Sequence, residues 1–142
     1  MSLLQIEGLY ITSNADTGRG VFCIHDIPKD SIIEVAPVII LSHAECQLIS
    51  LTKLYDYYFD WDDKDKSIAI PLGYGGLYNH SSKANAYTES NLSRQEISFI
   101  AEAHIPAGQE ILINYLGAGI GEIGLWFHDY NKQDNLTRLN LE

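Results

Sequence analysis

The apolar residues of this chain come in short, often β-branched bursts, each closed by turn residues. Runs such as Ala36–Leu41 and Ile111–Ile113 suit strands and fall far short of the ~20 apolar residues that a membrane-spanning helix needs. Ile6–Thr12 reads as a strand that ends at the turn residues Asn14, Asp16 and Gly18. Val21–Ile24 and Ser31–Leu41 come next, split by Pro28-Lys29-Asp30, the second bent at Pro37. Ser67–Pro71 is a short strand, Ala86–Glu89 and Glu96–Ala103 form a hairpin around Asn91-Leu92-Ser93, and Glu110–Tyr115 is the last strand. The best helix is His43–Tyr55, where Ser42 followed by Glu45 makes a capping box. The expectation for 142 residues is a single, mainly β domain with little helix. HDIPKDSII and AHIPAGQEIL echo each other as Ile-Pro turns leading into strands, too briefly for an architectural repeat.

Residues 73–86, GYGGLYNHSSKANA, fit no regular period. A helix would not tolerate such glycine density, because each interior Gly costs about 0.5–1 kcal/mol relative to Ala. The nearby tyrosines Tyr74, Tyr78 and Tyr87 make the stretch too aromatic for a solvated linker. It reads as a loop that must stay packed and in place, and therefore as a candidate site.

Charge narrows the partners. Nineteen acidic and 9 basic residues give a net charge of −10, the opposite of what direct nucleic-acid binding asks for. Such a chain attracts cationic partners instead. The acidic residues concentrate in YDYYFDWDDKDK, which holds Asp56, Asp60, Asp62, Asp63 and Asp65. That segment is either a solvated loop or a surface for a basic peptide. Cys23 and Cys46 are too few for a zinc cluster or a disulfide framework and read as small buried residues. His25, His43, His80, His104 and His128 show no metal-ligand spacing, so no metal is expected. The N-terminus MSLLQIEG has no basic segment ahead of an apolar core, so neither a signal peptide nor membrane association is expected. A cytoplasmic location fits best, with nuclear residence or delivery into a host left open. Gly119-Ile-Gly121-Glu-Ile-Gly124 matches GxGxxG literally, but the residues after Gly124 carry no strand signal for a dinucleotide fold.

Three segments taken together are more specific than any one alone. They are Thr17-Gly18-Arg19-Gly20-Val21-Phe22, Asn79-His80-Ser81-Ser82-Lys83-Ala84-Asn85 and Glu110-Ile-Leu-Ile-Asn-Tyr115. Their order and spacing resemble the SET domain of protein-lysine methyltransferases, most closely the minimal stand-alone members of viruses and prokaryotes. The likeness spans about Leu9 to Trp126, with residues 43–66 as a variable aromatic-acidic insert and 116–142 as a C-terminal flank. It implies a β-clip fold of small curved sheets, in which the last strand passes beneath the Asn-His-Ser loop as a pseudoknot. It also implies S-adenosylmethionine as methyl donor, held by Arg19, Gly20, Asn79 and His80, with Trp126 from the tail on the adenine. Tyr115 would stand at the methyl-transfer centre and Tyr10 would be a second wall of the lysine channel. Tyr78, Ile113, Asp60, Asp62 and Asp63 would face the substrate, a basic protein of histone-like or ribosomal type. A homodimer is a further expectation.

Methyl transfer to an amine is an in-line displacement that needs neutral lysine, which at a reference pKa of about 10.4 is roughly one molecule in a thousand near pH 7. A sulfonium cation nearby and the exclusion of water both lower that pKa. A rigid aromatic channel that aims the amine then supplies much of the rate, with no strong base required. Several positions depart from the family pattern. Ser82 and Ala84 replace a usual Cys and Pro, Asn114 replaces a usual Asp, and no cysteine follows Cys46 to build a zinc-bound tail. Trp126, Phe127 and Tyr130 would fold back instead, one of them stacking on the donor's adenine. Ile113 lacks the hydroxyl that would hold a water there, which leaves room for higher methylation. The departures keep a second expectation open, a catalytically silent SET-like module that binds basic peptides.

Overall fold

A computed structural model describes residues 4–115. Ten strands carry the architecture: β1 Leu4–Gln5, β2 Leu9–Asn14, β3 Gly18–Cys23, β4 Ile32–Leu41, β5 Phe59–Asp62, β6 Ser67–Pro71, β7 Asn79–His80, β8 Ala86–Asn91, β9 Glu96–Ala101 and β10 Glu110–Ile113. They take the order β2-β3-β10-β8-β9-β4-β6-β5, with β1 on β4 and β7 on β10. One α-helix, α1 (His43–Ile49), and two 3-10 turns, Lys53–Asp56 and Gly75–Leu77, complete the described residues. No helix among them is long and apolar enough to cross a membrane.

The expected strands and the β8–β9 hairpin are present, with three differences that have physical causes. The first expected strand is broken into β1 and β2 by Gly8, at φ +94, where a side chain would press within 2.8 Å of His25 and Ile24. The expected helix stops at Ile49 and not Tyr55. Its capping box is formed, with Glu45 N donating to Ser42 Oγ at 3.1 Å and Ser42 N to Glu45 Oε2 at 2.9 Å. However, α1 buries no residue, and without an apolar face to pack a short helix has little to extend it. Thr52 then starts the separate 3-10 turn, its side chain accepting from Leu54 N. Finally, part of the acidic insert is a strand: in β5 Phe59 is buried while Asp60 faces out, and the register to β6 shifts between Asp60 and Asp62.

The core gathers alternate residues of β3, β4, β9 and β10 around an aromatic centre. Phe99 stacks on Tyr78 at 4.4 Å and meets Phe59 edge-on at 6.2 Å. The two Ile-Pro echoes pair with each other across the core. Ile27 N donates to Ile105 O at 2.8 Å and Ile105 N to Ile27 O at 2.9 Å, so the turns feeding β4 and β10 are fastened together. This fixes where β10 begins and carries it to the site.

Candidate functional site

The Gly18-Arg19-Gly20 turn owes its shape to Asn14. Its Oδ1 accepts from the backbone N–H of Asp16 and of Thr17, both at 2.8 Å, an Asx turn, and Gly18 takes φ +76. β3 then runs beside β10, with Phe22 opposite Glu110 and Val21 opposite Ile111.

On its other side β10 meets the Asn-His-Ser loop, and here the polar stretch of the sequence finds its purpose. Asn79 and His80 pair in parallel with Leu112 and Ile113, and β8 rejoins β10 at Ala86. Between them the loop stays attached to β10: Ser81 N donates to Ile113 O at 3.0 Å and Asn85 N to Leu112 O at 3.1 Å. The Asn85 side chain acts as a substitute peptide group, donating to Glu110 O at 2.9 Å and accepting from Leu112 N at 2.8 Å. Ser82 and Ala84, the departures of this loop, leave that closure intact.

The motif residues gather along β10, from Glu110 at its start to Tyr115 just past its end. Asn79 Nδ2 lies 2.9 Å from Arg19 O, 2.7 Å from Glu110 Oε2 and 3.1 Å from Thr17 Oγ1. Glu110 Oε1 also accepts from Asn14 Nδ2 at 2.8 Å. Gly20 is buried against this cluster: a Cβ there would run into the Glu110 carboxylate and come within 2.9 Å of Asn79 Nδ2. Tyr115 N donates to His80 Nδ1 at 3.0 Å, which leaves Nε2 to carry the ring proton of neutral imidazole. The Tyr115 and His80 rings lie 5.0 Å apart, and the Tyr115 hydroxyl donates to Tyr78 O at 3.1 Å. Burial above all, then Tyr57 and Glu110 nearby, pushes the Tyr115 phenol up to about 12. Arg19, Gly20, Asn79, His80 and Tyr115 are thus brought together.

Other expected site residues stand elsewhere. Tyr78 and Ile113, expected to face the substrate, have their side chains in the core. The Tyr78 side chain is 1% exposed and its hydroxyl donates to Glu34 at 2.6 Å, while Ile113 is fully buried. Tyr78 reaches the site through its backbone carbonyl alone. Tyr10 stacks on Phe22 at 5.7 Å, in the row of Glu110 at the start of β10, whereas Tyr115 follows the end of that strand. Tyr57, from the insert, adds to the upward shift of the Tyr115 phenol after burial. Asp60 and Asp63 are exposed; the Asp60 carboxyl is pushed up by partial burial and by Asp63, with Lys66 opposing. Asp62 Oδ1 accepts from Lys64 N at 2.9 Å and shapes the β5–β6 turn. Trp126, Phe127 and Tyr130 lie outside the described residues.

Three residues of this region were not singled out in the sequence: Glu110, Tyr57 and Glu34. The Glu34 carboxylate, fully buried in β4, accepts from Tyr78 Oη at 2.6 Å, Tyr74 N at 2.9 Å and Gln5 Nε2 at 2.9 Å. It anchors the turn that leads into Asn79. A lone acid inside an apolar strand was the available signal, since a charge there must be outward or fully bonded.

The family model for the SET domain matches residues 18–116. The chain belongs to the SET-domain family. It is 32% identical over 122 residues to a histone-lysine N-methyltransferase, H3 lysine-37 specific, of Schizosaccharomyces pombe, covering 85% of this chain and 78% of that protein. It also resembles a crystal structure from Plasmodium falciparum of a protein provisionally named a histone methyltransferase. The TM-score is 0.62 at 33% identity, over 78% of this chain and 95% of that one. The mainly β architecture is thus a SET fold, and the enzyme class is protein-lysine methyltransferase. Within this SET domain, the loop bridged to β10 on both sides is the crossing at which the three motif segments meet.

Proposed function

We propose that this SET domain uses S-adenosylmethionine as methyl donor and modifies lysine side chains of a basic, histone-like protein. The observation that carries the reading is the convergence of Arg19, Asn79, His80 and Tyr115 on one another through the β7–β10 crossing. The donor set suits the cofactor. Asn79 turns its N–H groups to protein acceptors, which leaves its carbonyl oxygen as an acceptor for the ammonium of the donor's amino-acid end. The Arg19-Gly20 backbone, on which Asn79 is fixed, and His80 are proposed as further contacts of the donor, and Trp126 for the adenine. When bound, S-adenosylmethionine supplies an electrophilic methyl on a sulfonium centre.

The protein's own part is positional. The Tyr115 hydroxyl is held on the Tyr78 carbonyl and stays protonated, so it orients polar groups and takes no proton. The aromatic surroundings of Tyr115 and Tyr57 exclude water and favour neutral lysine over ammonium. The acidic chain, with Asp60, Asp62 and Asp63 on the insert, favours Lys- and Arg-rich segments, and the histone-lysine activity in the name of the fission-yeast relative agrees with such a substrate. The test is mass spectrometry of a panel of basic proteins incubated with the chain and S-adenosylmethionine, alongside thermal shift with the donor. Methylated lysine together with a raised melting temperature supports the reading. Donor-independent melting and unmodified peptides overturn it, and peptide binding without methylation would leave a silent module.

A further inference from the structure

We propose that Glu110 is a positioning residue for cofactor recognition: its carboxylate sets which face of the Asn79 amide is offered to the donor's amino-acid end. The inference rests on the reading of Asn79 as a donor-binding residue and extends it to a residue that itself need not touch the cofactor.

An ionised carboxylate only accepts hydrogen bonds. Glu110 uses both oxygens, Oε1 for Asn14 Nδ2 at 2.8 Å and Oε2 for Asn79 Nδ2 at 2.7 Å. Both amides must therefore turn their NH2 groups toward it. Asn14 has no alternative, because its Oδ1 already holds the N–H groups of Asp16 and Thr17. For Asn79 the constraint decides the chemistry of the site. With Nδ2 facing Glu110, Arg19 O and Thr17 Oγ1, its Oδ1 points the other way, and none of the described hydrogen bonds ends on it. That oxygen attracts a cation such as the α-ammonium of an amino acid. An inverted amide would present N–H groups to the same ammonium and repel it. Gly20 is the steric counterpart: any side chain there would overlap the Glu110 carboxylate. One carboxylate thus ties the turn after β2, the start of β7 and the start of β10 into a single arrangement.

Glu110→Gln keeps the size and removes the acceptor-only character. Its amide has one NH2, which must then confront either Asn14 or Asn79. Asn14 is locked by its turn, so the conflict falls on Asn79. Its NH2 then meets an N–H group where a carboxylate stood and is held in its orientation only by Arg19 O and Thr17 Oγ1. The experiment is titration calorimetry on the full chain with two probes. S-adenosylhomocysteine carries the amino-acid end, and 5′-methylthioadenosine keeps the nucleoside and lacks it. Glu110→Gln should weaken S-adenosylhomocysteine about 10–100-fold, the range of a hydrogen bond to a charged group, and leave 5′-methylthioadenosine unchanged. In an Asn79→Ala background the Glu110→Gln effect should vanish, because the two residues act through one contact. Equal weakening of both probes, no weakening of either, or a full additional loss in the double variant overturns the proposal and leaves Glu110 a structural residue. If Glu110→Gln melts below the assay temperature, Glu110→Asp must show the same probe-selective loss, and an unselective or absent loss overturns it. Wild-type protein that binds 5′-methylthioadenosine but not S-adenosylhomocysteine overturns the inference alone. Binding of neither overturns the donor assignment and the inference with it.

Discussion

A phenol pushed up to about 12 keeps its proton wherever lysine methylation would be assayed, so the Tyr115 hydroxyl works as a donor fixed on the Tyr78 carbonyl at 3.1 Å. Tyr115→Phe preserves the ring beside His80 and removes only that donor. Turnover in a single-turnover assay should fall roughly 10²–10³-fold, as for other preorganised donors in dry sites, while donor affinity by calorimetry stays near wild type. An undiminished rate would move the centre away from Tyr115. Glu34 illustrates the opposite role, a charge that builds the site from below. Glu34→Ala strands the Tyr78 hydroxyl, the Tyr74 N–H and the Gln5 amide, and leaving buried donors unsatisfied costs about 1–3 kcal/mol each. Urea denaturation should show a loss of about 3–5 kcal/mol, larger than that for Tyr78→Phe, which removes one of the three bonds. Equal effects would mean that Tyr78 alone carries the anchor.

At the scale of elements, the crossing depends on side chains that imitate backbone. Asn85 fills a gap in the ladder with its amide, donating to Glu110 O and accepting from Leu112 N. Asn85→Ala removes both bonds and should destabilise the chain by about 1–3 kcal/mol, with faster hydrogen exchange at Leu112 than at Ile100 in β9; uniform exchange would show that the loop is not held through Asn85. Elements with a pattern of their own were legible in the sequence: the turn after β2 announced by Asn14 and Gly18, the β8–β9 hairpin around Asn91, the capping box at Ser42, and β10. The order of three short motifs pointed to the meeting of Asn79, Arg19 and Tyr115. Features without a local signature stayed hidden. β5 was hidden because two of its four residues are Asp60 and Asp62 and its pairing with β6 shifts register between them, so that charge outweighed pattern. The break at Gly8 depends on the distant His25 and Ile24 side chains. Tyr57 is one tyrosine in a crowded aromatic run, and only the return of the insert toward Tyr115 distinguishes it. Tyr78 and Ile113 looked like substrate contacts because they flank motif residues; which way each points is set by pairing with β10 and by the Phe99–Glu34 core.

At the scale of the molecule, two predictions concern charge. The first is encounter with substrate: at net charge −10, neutralising Asp60, Asp62 and Asp63 to Asn should raise KM for a basic peptide and flatten its salt dependence, since exposed charges act mainly on association. Donor affinity should not change; a KM indifferent to both the substitutions and added salt would reduce the segment to a solvated turn. The second is stability in alkali, and three phenols determine its sign. Tyr58 is raised chiefly by burial, with Tyr55, Asp60 and Cys46 adding to it, Tyr78 by burial and then Glu34, and Tyr115 by burial and then Tyr57 and Glu110. In the unfolded chain each titrates near pH 10. Between that pH and the higher folded values the unfolded state binds fewer protons, so unfolding free energy must fall as pH rises. The contribution is fully present below about pH 10 and is withdrawn above it. Denaturant midpoints should therefore hold steady on this account up to about pH 9 and decline steeply from about pH 10. Tyr78→Phe should start lower, for loss of the Glu34 bond, and decline less steeply, because one of the three phenols is gone. Parallel curves for the two proteins would show that Tyr78 is not among the groups whose ionisation opens the core.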